Sequence, residues 1–170
     1  PMHDPRYKRA LGVGYAVSPT GADHNHNLHD TAFAKEGRAL RELRFYGEDF
    51  QPLPIEDLSE AKIRMLWTKT RERGFVNSLV MCDFVPWTPE EWREALYAAT
   101  GWRLSPEEML EVGERTLQLT RLFNLREGIS PEEDRLPERF FQPFRKGNPE
   151  ARLDPEAFRE GVRAYRRLAG

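Results

Sequence analysis

Four times in the second half of this chain a helix start is written into three or four consecutive residues. Thr88-Pro89-Glu90-Glu91, Ser105-Pro106-Glu107-Glu108, Ser130-Pro131-Glu132-Glu133 and Asp154-Pro155-Glu156-Ala157 share one logic. A side-chain oxygen caps the first free N–H groups, and proline sits where no N–H is needed. Acidic residues then face the positive end of the helix dipole. Glu91 completes a capping box with Thr88. Apolar periodicity after three of the signals predicts helices over 88–101, 105–128 and 154–168, with Gly101 and Gly128 as natural terminators. The second is the clearest: Met109, Val112, Gly113, Thr116, Leu117, Thr120 and Phe123 form one ladder, and Gly113 on it would let another helix approach closely. The signal at Ser130 opens only a short turn or helix before Leu136-Pro137, and residues 142–149 read as irregular.

The first half is less regular. Residues 1–31 read as loop and turn with at most a short helix. A helix is expected within 31–46 through Ala34, Leu40, Leu43 and Phe45, weakened by Gly37, and Gly47 to Pro54 breaks it. Asp57-Leu58-Ser59-Glu60 starts a helix with Ile63, Leu66 and Trp67 on one face, reaching about Arg73. Phe75 to Val85 is the most apolar segment, and its helical neighbours favour a buried helix there. Alternating strand patterns are scarce, so the expected class is all-α and multihelical.

A chain of 170 residues fits one domain, or two small ones sharing a core. The net charge of −2 gives no electrostatic reason to expect nucleic acid or an anionic membrane. No apolar run approaches the ~20 residues needed to span a bilayer, and the opening residues are no signal peptide. Cytoplasmic residence is expected. The start, Pro1-Met2-His3-Asp4, lacks an initiator position, as expected of a split gene or a piece of something longer.

Two constellations could carry chemistry. Asp23-His24-Asn25-His26-Asn27-Leu28-His29-Asp30 puts three imidazoles and two carboxylates within eight positions. It reads as a polar surface loop, as a loop in which one histidine moves protons, or as a site for a divalent transition metal built on His24, His26 and His29. The second is Cys82, the single cysteine. It reads either as a buried inert thiol or as a ligand completing a site whose other ligands lie elsewhere. Dinucleotide, P-loop, nucleophile-elbow and zincin motifs are absent from the sequence.

Three blocks carry a family resemblance. Asp4-Pro5-Arg6 followed by L-G-V-G-Y-A-V-S-P-T-G-A-D-H (11–24), N-S-L-V-M-C-D-F (77–84) and G-E-R-T-L-Q-L-T-R-L-F-N-L-R-E-G-I-S-P-E-E-D-R-L-P-E-R-F (113–140) resemble, in order, the aldehyde:ferredoxin oxidoreductase family. The resemblance implies that residues 1–170 are the C-terminal helical region of such an enzyme, without its N-terminal pterin-binding domain. The complete enzyme would hold tungsten (or molybdenum) on two pyranopterins beside a [4Fe–4S] cluster. It would oxidise an aldehyde to a carboxylic acid and pass electrons to ferredoxin or an electron-transfer subunit. By the same resemblance His24 stands beside the metal as the catalytic histidine, and Cys82 is the fourth cluster cysteine, the other three lying upstream. Asn77 occupies the position of the family's pterin-binding aspartate, where an amide replaces the carboxylate and the charge-assisted bond is lost. This chain alone is expected to bind no cofactor and to be inactive, its first partner being the N-terminal part of the same enzyme. The alternative is a redox-inactive helical interaction module derived from the family.

Overall fold

The computed structural model describes residues 3–82, 84–144 and 151–170, and among these there are helices and no strands. Six α-helices follow in order: α1 Arg9–Val17, α2 Arg38–Arg44, α3 Glu60–Ser78, α4 Pro89–Thr100, α5 Pro106–Arg126 and α6 Pro155–Ala169. No helix among the described residues is long and apolar enough to cross a membrane.

The starts of α4, α5 and α6 follow their signals. Thr88 and Ser105 each accept from the N–H three residues on, with Glu91 and Glu108 returning the bond to complete both capping boxes. Asp154 accepts from the Ala157 N–H. Gly101 ends α4 at φ 78°, and Gly128 follows α5 at φ 91°. Ser130 precedes a single 3-10 turn, Pro131–Glu133. On α6, Phe158, Val162 and Tyr165 face inward as expected, while Leu168 is only partly buried. The expected irregular stretch 142–149 lies outside the described residues from 145 onward.

α3 is the axis of the fold. It packs against α5, α6, α1 and α2, so residues all around it are buried, from Lys62 and Ile63 through Met65, Leu66 and Trp67 to Phe75 and Val76. A helix enclosed on every side has no single apolar face, and its polar residues must find partners inside. One apolar cluster gathers Val13, Leu28, Leu40, Leu43, Ile63, Leu66, Phe158 and Val162 around its first half. A second joins Tyr46, Phe75, Val76, Trp92, Met109 and Leu110 around its end. The crossing with α5 is set by two glycines: a Cβ on Gly113 would lie 1.8 Å from the Arg71 carbonyl oxygen, and one on Gly74 2.6 Å from that of Gly113.

Three expectations change. The helix expected in 31–46 shortens to Arg38–Arg44, preceded by a 3-10 turn at Asp30–Ala32. Phe75 to Val85 is not one buried helix: α3 ends at Ser78, Val80 takes φ 56°, and Cys82 is exposed. The apolar run there mixes the buried end of α3 with exposed residues, Val80 and Phe84 among them. On α5 the ladder is fully buried only at Met109 and Gly113, with Leu110 buried beside them. Phe123, with Leu119 and Leu122, points into solvent.

The short α1 has an unusual origin. Its N-cap, Lys8, makes no side-chain cap bond. The caps come from Asp30, whose carboxylate accepts the Ala10 N–H at 3.3 Å and the Leu11 N–H at 3.0 Å. Asp30 and Lys62 are both fully buried, with Lys62 Nζ 3.5 Å from Asp30 Oδ1 and 3.2 Å from the Leu53 carbonyl it donates to. Burial pushes the Asp30 carboxyl up, and Lys62 and the two capping N–H groups oppose that.

Candidate functional site

The histidine loop is shaped by its own polar groups and held by Leu28, buried in the core, and by Asp30. The Asn25 N–H donates to Asp23 Oδ1 at 2.9 Å, a turn typical of aspartate, and Asn27 Nδ2 donates to the Asp23 carbonyl at 2.7 Å. The Asn27 Oδ1 is buried without a hydrogen-bond partner. It lies 2.0 Å from where a Cβ on Gly14 would be, so α1 has room for the loop only because residue 14 is glycine.

The loop sends its histidines two ways. His26 turns toward the end of α3, where Asn77 Nδ2 donates to its Nε2 at 3.1 Å. Its Nδ1 lies 3.4 Å from Thr20 Oγ1 and 3.5 Å from Asp23 Oδ2. Asn77 and the histidine loop therefore meet directly, and Cys82 follows five residues after Asn77 on an exposed segment.

His24 and His29 turn the other way and meet His3. The ring centroids are 5.2 Å apart for His3 and His24, 4.7 Å for His3 and His29, and 5.8 Å for His24 and His29, all edge to face. Lys8 Nζ reaches His3 Nδ1 at 3.2 Å and His29 Nδ1 at 3.4 Å, and His29 Nε2 is 3.0 Å from the His24 carbonyl oxygen. An ammonium has protons to give and no lone pair, and a carbonyl only accepts. His29 therefore carries its proton on Nε2. Burial first, and then Lys8 and His3, depress the His29 pKa to about 4. His24 Nδ1 is shielded from solvent and makes no hydrogen bond among the described residues, with Asp23 Oδ1 4.0 Å away.

This arrangement corrects the metal-loop reading. His26 is hydrogen-bonded to Asn77, His3 is the ring packed against His24 and His29, and both His29 nitrogens are engaged. Among the described residues no group of three or more His, Cys, Asp or Glu side chains is placed to hold a metal ion.

The neutral His29 sets a pH dependence. In the unfolded chain its imidazole takes a proton below about pH 6.5, and in the folded chain only below about 4. Between those values the unfolded state binds more protons, so stability falls as the pH drops. For a half-buried ring this amounts to on the order of 1–2 kcal/mol. Asp30, shifted upward, acts with the opposite sign but titrates in wild type and variant alike. Urea unfolding at about pH 7 and about pH 4.5 should thus show wild type losing more stability than His29→Gln. Parallel losses would count against the depressed pKa.

Two cavities border the site. A small cleft of about 70 Å³ is lined by Ser18, Thr20, His26, Asn27, Asn77 and Thr116 among others. It shares Pro19, Leu117 and Tyr165 with a cavity of about 340 Å³, whose walls include Val17, Trp67, Leu122 and Leu125. Along the larger one Asp134 pairs with Arg121 at 2.8 Å and Arg166 at 2.9 Å. Asn124 Nδ2 donates to the Pro19 carbonyl at 2.6 Å. Asn124, in the third sequence block, thus braces the loop that begins the site. The first block meets the third as well: the Arg6 guanidinium lies over the Phe140 ring.

Sequence reasoning singled out His24, Asn77 and Cys82 but missed His3, Lys8 and the Asp30–Lys62 pair. No spacing links His3 or Lys8 to a loop some twenty residues on, and a buried lysine on a helix looks like any surface lysine.

Comparison with known proteins gives one consistent answer. Residues 1–170 match the family described as aldehyde ferredoxin oxidoreductase, domains 2 and 3. The chain is 32% identical over 145 residues to the tungsten-containing aldehyde ferredoxin oxidoreductase of Pyrococcus furiosus. Its counterparts in Thermococcus kodakarensis and Pyrococcus abyssi are 31% and 30% identical. Each match covers 84% of this chain and 22% of the relative, so the chain spans about a fifth of those enzymes' length.

Proposed function

This chain belongs to the aldehyde ferredoxin oxidoreductase family, and from that premise we propose that it forms the C-terminal helical part of a tungsten (or molybdenum) pterin, iron–sulfur oxidoreductase. The complete enzyme oxidises an aldehyde and water to a carboxylic acid, releasing two electrons and two protons. The electrons go to ferredoxin or a partner subunit. In that enzyme the metal–pterin supplies the two-electron chemistry and the cluster carries the electrons onward. The cytoplasm is the proposed compartment.

The observation that carries this reading is the setting of Cys82. The thiol is exposed, and the flanking Val80 and Phe84 are 92% and 83% exposed. Large apolar side chains beside a bare thiol fit a surface that another segment covers, bringing the remaining cluster ligands and a low-polarity shell. One thiol cannot hold a cluster, so the chain by itself is inactive. Asn77 fits the pterin position in a weakened form: its Nδ2 is given to His26, and its Oδ1 remains to accept from a pterin N–H. His24 fits the place beside the metal because its Nδ1 makes no hydrogen bond among the described residues, with Asp23 Oδ1 4.0 Å away. An imidazole there can accept or donate one proton at a substrate oxygen.

The test uses the complete protein. Wild type should contain tungsten or molybdenum together with iron, and should reduce an acceptor when given aldehyde. Cys82→Ser should lose most of the roughly four iron atoms of the cluster. Unchanged iron in Cys82→Ser would remove the thiol from the cluster. A complete protein with neither metal nor iron would leave the helical interaction module as the better account.

A further inference from the structure

We propose that Lys8 is a positioning residue for His24, acting through His29. This rests on the reading of His24 as the histidine beside the metal, but the positioning is a property of this chain's own geometry. Lys8 Nζ donates to His29 Nδ1, and with the His24 carbonyl on the other side of the ring this places the His29 proton on Nε2. That Nε2–H donates to the His24 carbonyl and fixes the backbone from which the His24 ring projects. The second Lys8 bond, to His3 Nδ1, sets the ring that packs edge-to-face on both His24 and His29. One ammonium thereby orients two imidazoles around a third.

The surroundings fix Lys8 in turn. It immediately precedes α1, whose second and third N–H groups are bound by Asp30, the residue after His29. Burial pushes the Lys8 ammonium's pKa down and the Asp30 carboxylate opposes that, while Lys62 pairs with Asp30. Asp30, next to His29, thus ties the histidine loop to the helix that Lys8 precedes. A role limited to stability would need only the charge. Here the lysine selects a tautomer, and the tautomer selects which group His29 can hold.

Long-range ¹H–¹⁵N spectra of the imidazoles test this in the full chain, without metal or cofactor. In wild type, His29 should show a bare Nδ1 and a protonated Nε2. In Lys8→Met the His29 nitrogens should average between tautomers and the His24 ring signals should shift. Lys8→Arg, which still donates, should restore the wild-type pattern. A wild-type His29 protonated on Nδ1 overturns the proposal without any variant, and so does a Lys8→Met spectrum with His29 and His24 unchanged. In the complete enzyme, Lys8→Met should lower kcat by roughly ten- to a hundred-fold with KM little changed. If the spectra change as expected while kcat does not, the positioning stands and the assignment of His24 to catalysis fails.

Discussion

Gly113→Ala should be among the most damaging single substitutions in this chain, although alanine is the better helix former by ~1 kcal/mol. The added Cβ would sit 1.8 Å from the Arg71 carbonyl oxygen and 2.8 Å from the Phe75 nitrogen. Both are backbone atoms in the middle of α3, so no side chain can rotate out of the way. The two helices must separate along their contact, loosening Phe75, Val76, Met109 and Leu110 together. Overpacking of this kind costs about 3 kcal/mol or more, and for a chain of this size that lowers Tm by roughly 6–12 °C. Thermal and urea unfolding read it directly. A change below about 1 kcal/mol would mean that the helices do not cross at these glycines.

Asp30→Ala should be of similar size for a different reason. It leaves the Lys62 ammonium fully buried with only the Leu53 carbonyl, and strips the acceptors from Ala10 and Leu11. Removing one partner of a buried pair costs about 3–5 kcal/mol. The double variant Asp30→Leu with Lys62→Met separates the two contributions. It should recover the part due to the stranded charge and keep the part due to the uncapped helix. Recovery to wild-type stability would show that the capping bonds contribute little.

The same carboxylate explains what could and could not be read from the sequence. α4, α5 and α6 were legible because each carries its cap within three residues of its start. α1 was not, because its cap comes from Asp30, nineteen and twenty residues away. The run 75–85 was misread because apolar content alone does not distinguish the inside of a helix bundle from a surface apolar for another reason; Val80 and Phe84 are of the second kind. The close crossing was visible at Gly113, but its partner Gly74 was not, since no local pattern reports what lies across a helix pair. The histidine loop and Cys82 stood out by residue type, while Asn77 and the roles of His24 and Cys82 came only from the family resemblance. The contacts between His26 and Asn77, and between Lys8 and two histidines, are tertiary, and no period or spacing announces them.

The remote cap also gives the molecule a built-in reporter. Amides at a helix start ordinarily exchange with solvent by local fraying, whatever the rest of the protein is doing. Here the Ala10 and Leu11 amides are bound by a residue at the far end of the histidine loop. Their hydrogen atoms can leave only when the loop lets go, so α1 and the loop open as one cooperative unit. Deuterium uptake at these two positions therefore measures how often the candidate site comes apart, in a helix that contributes no candidate catalytic residue.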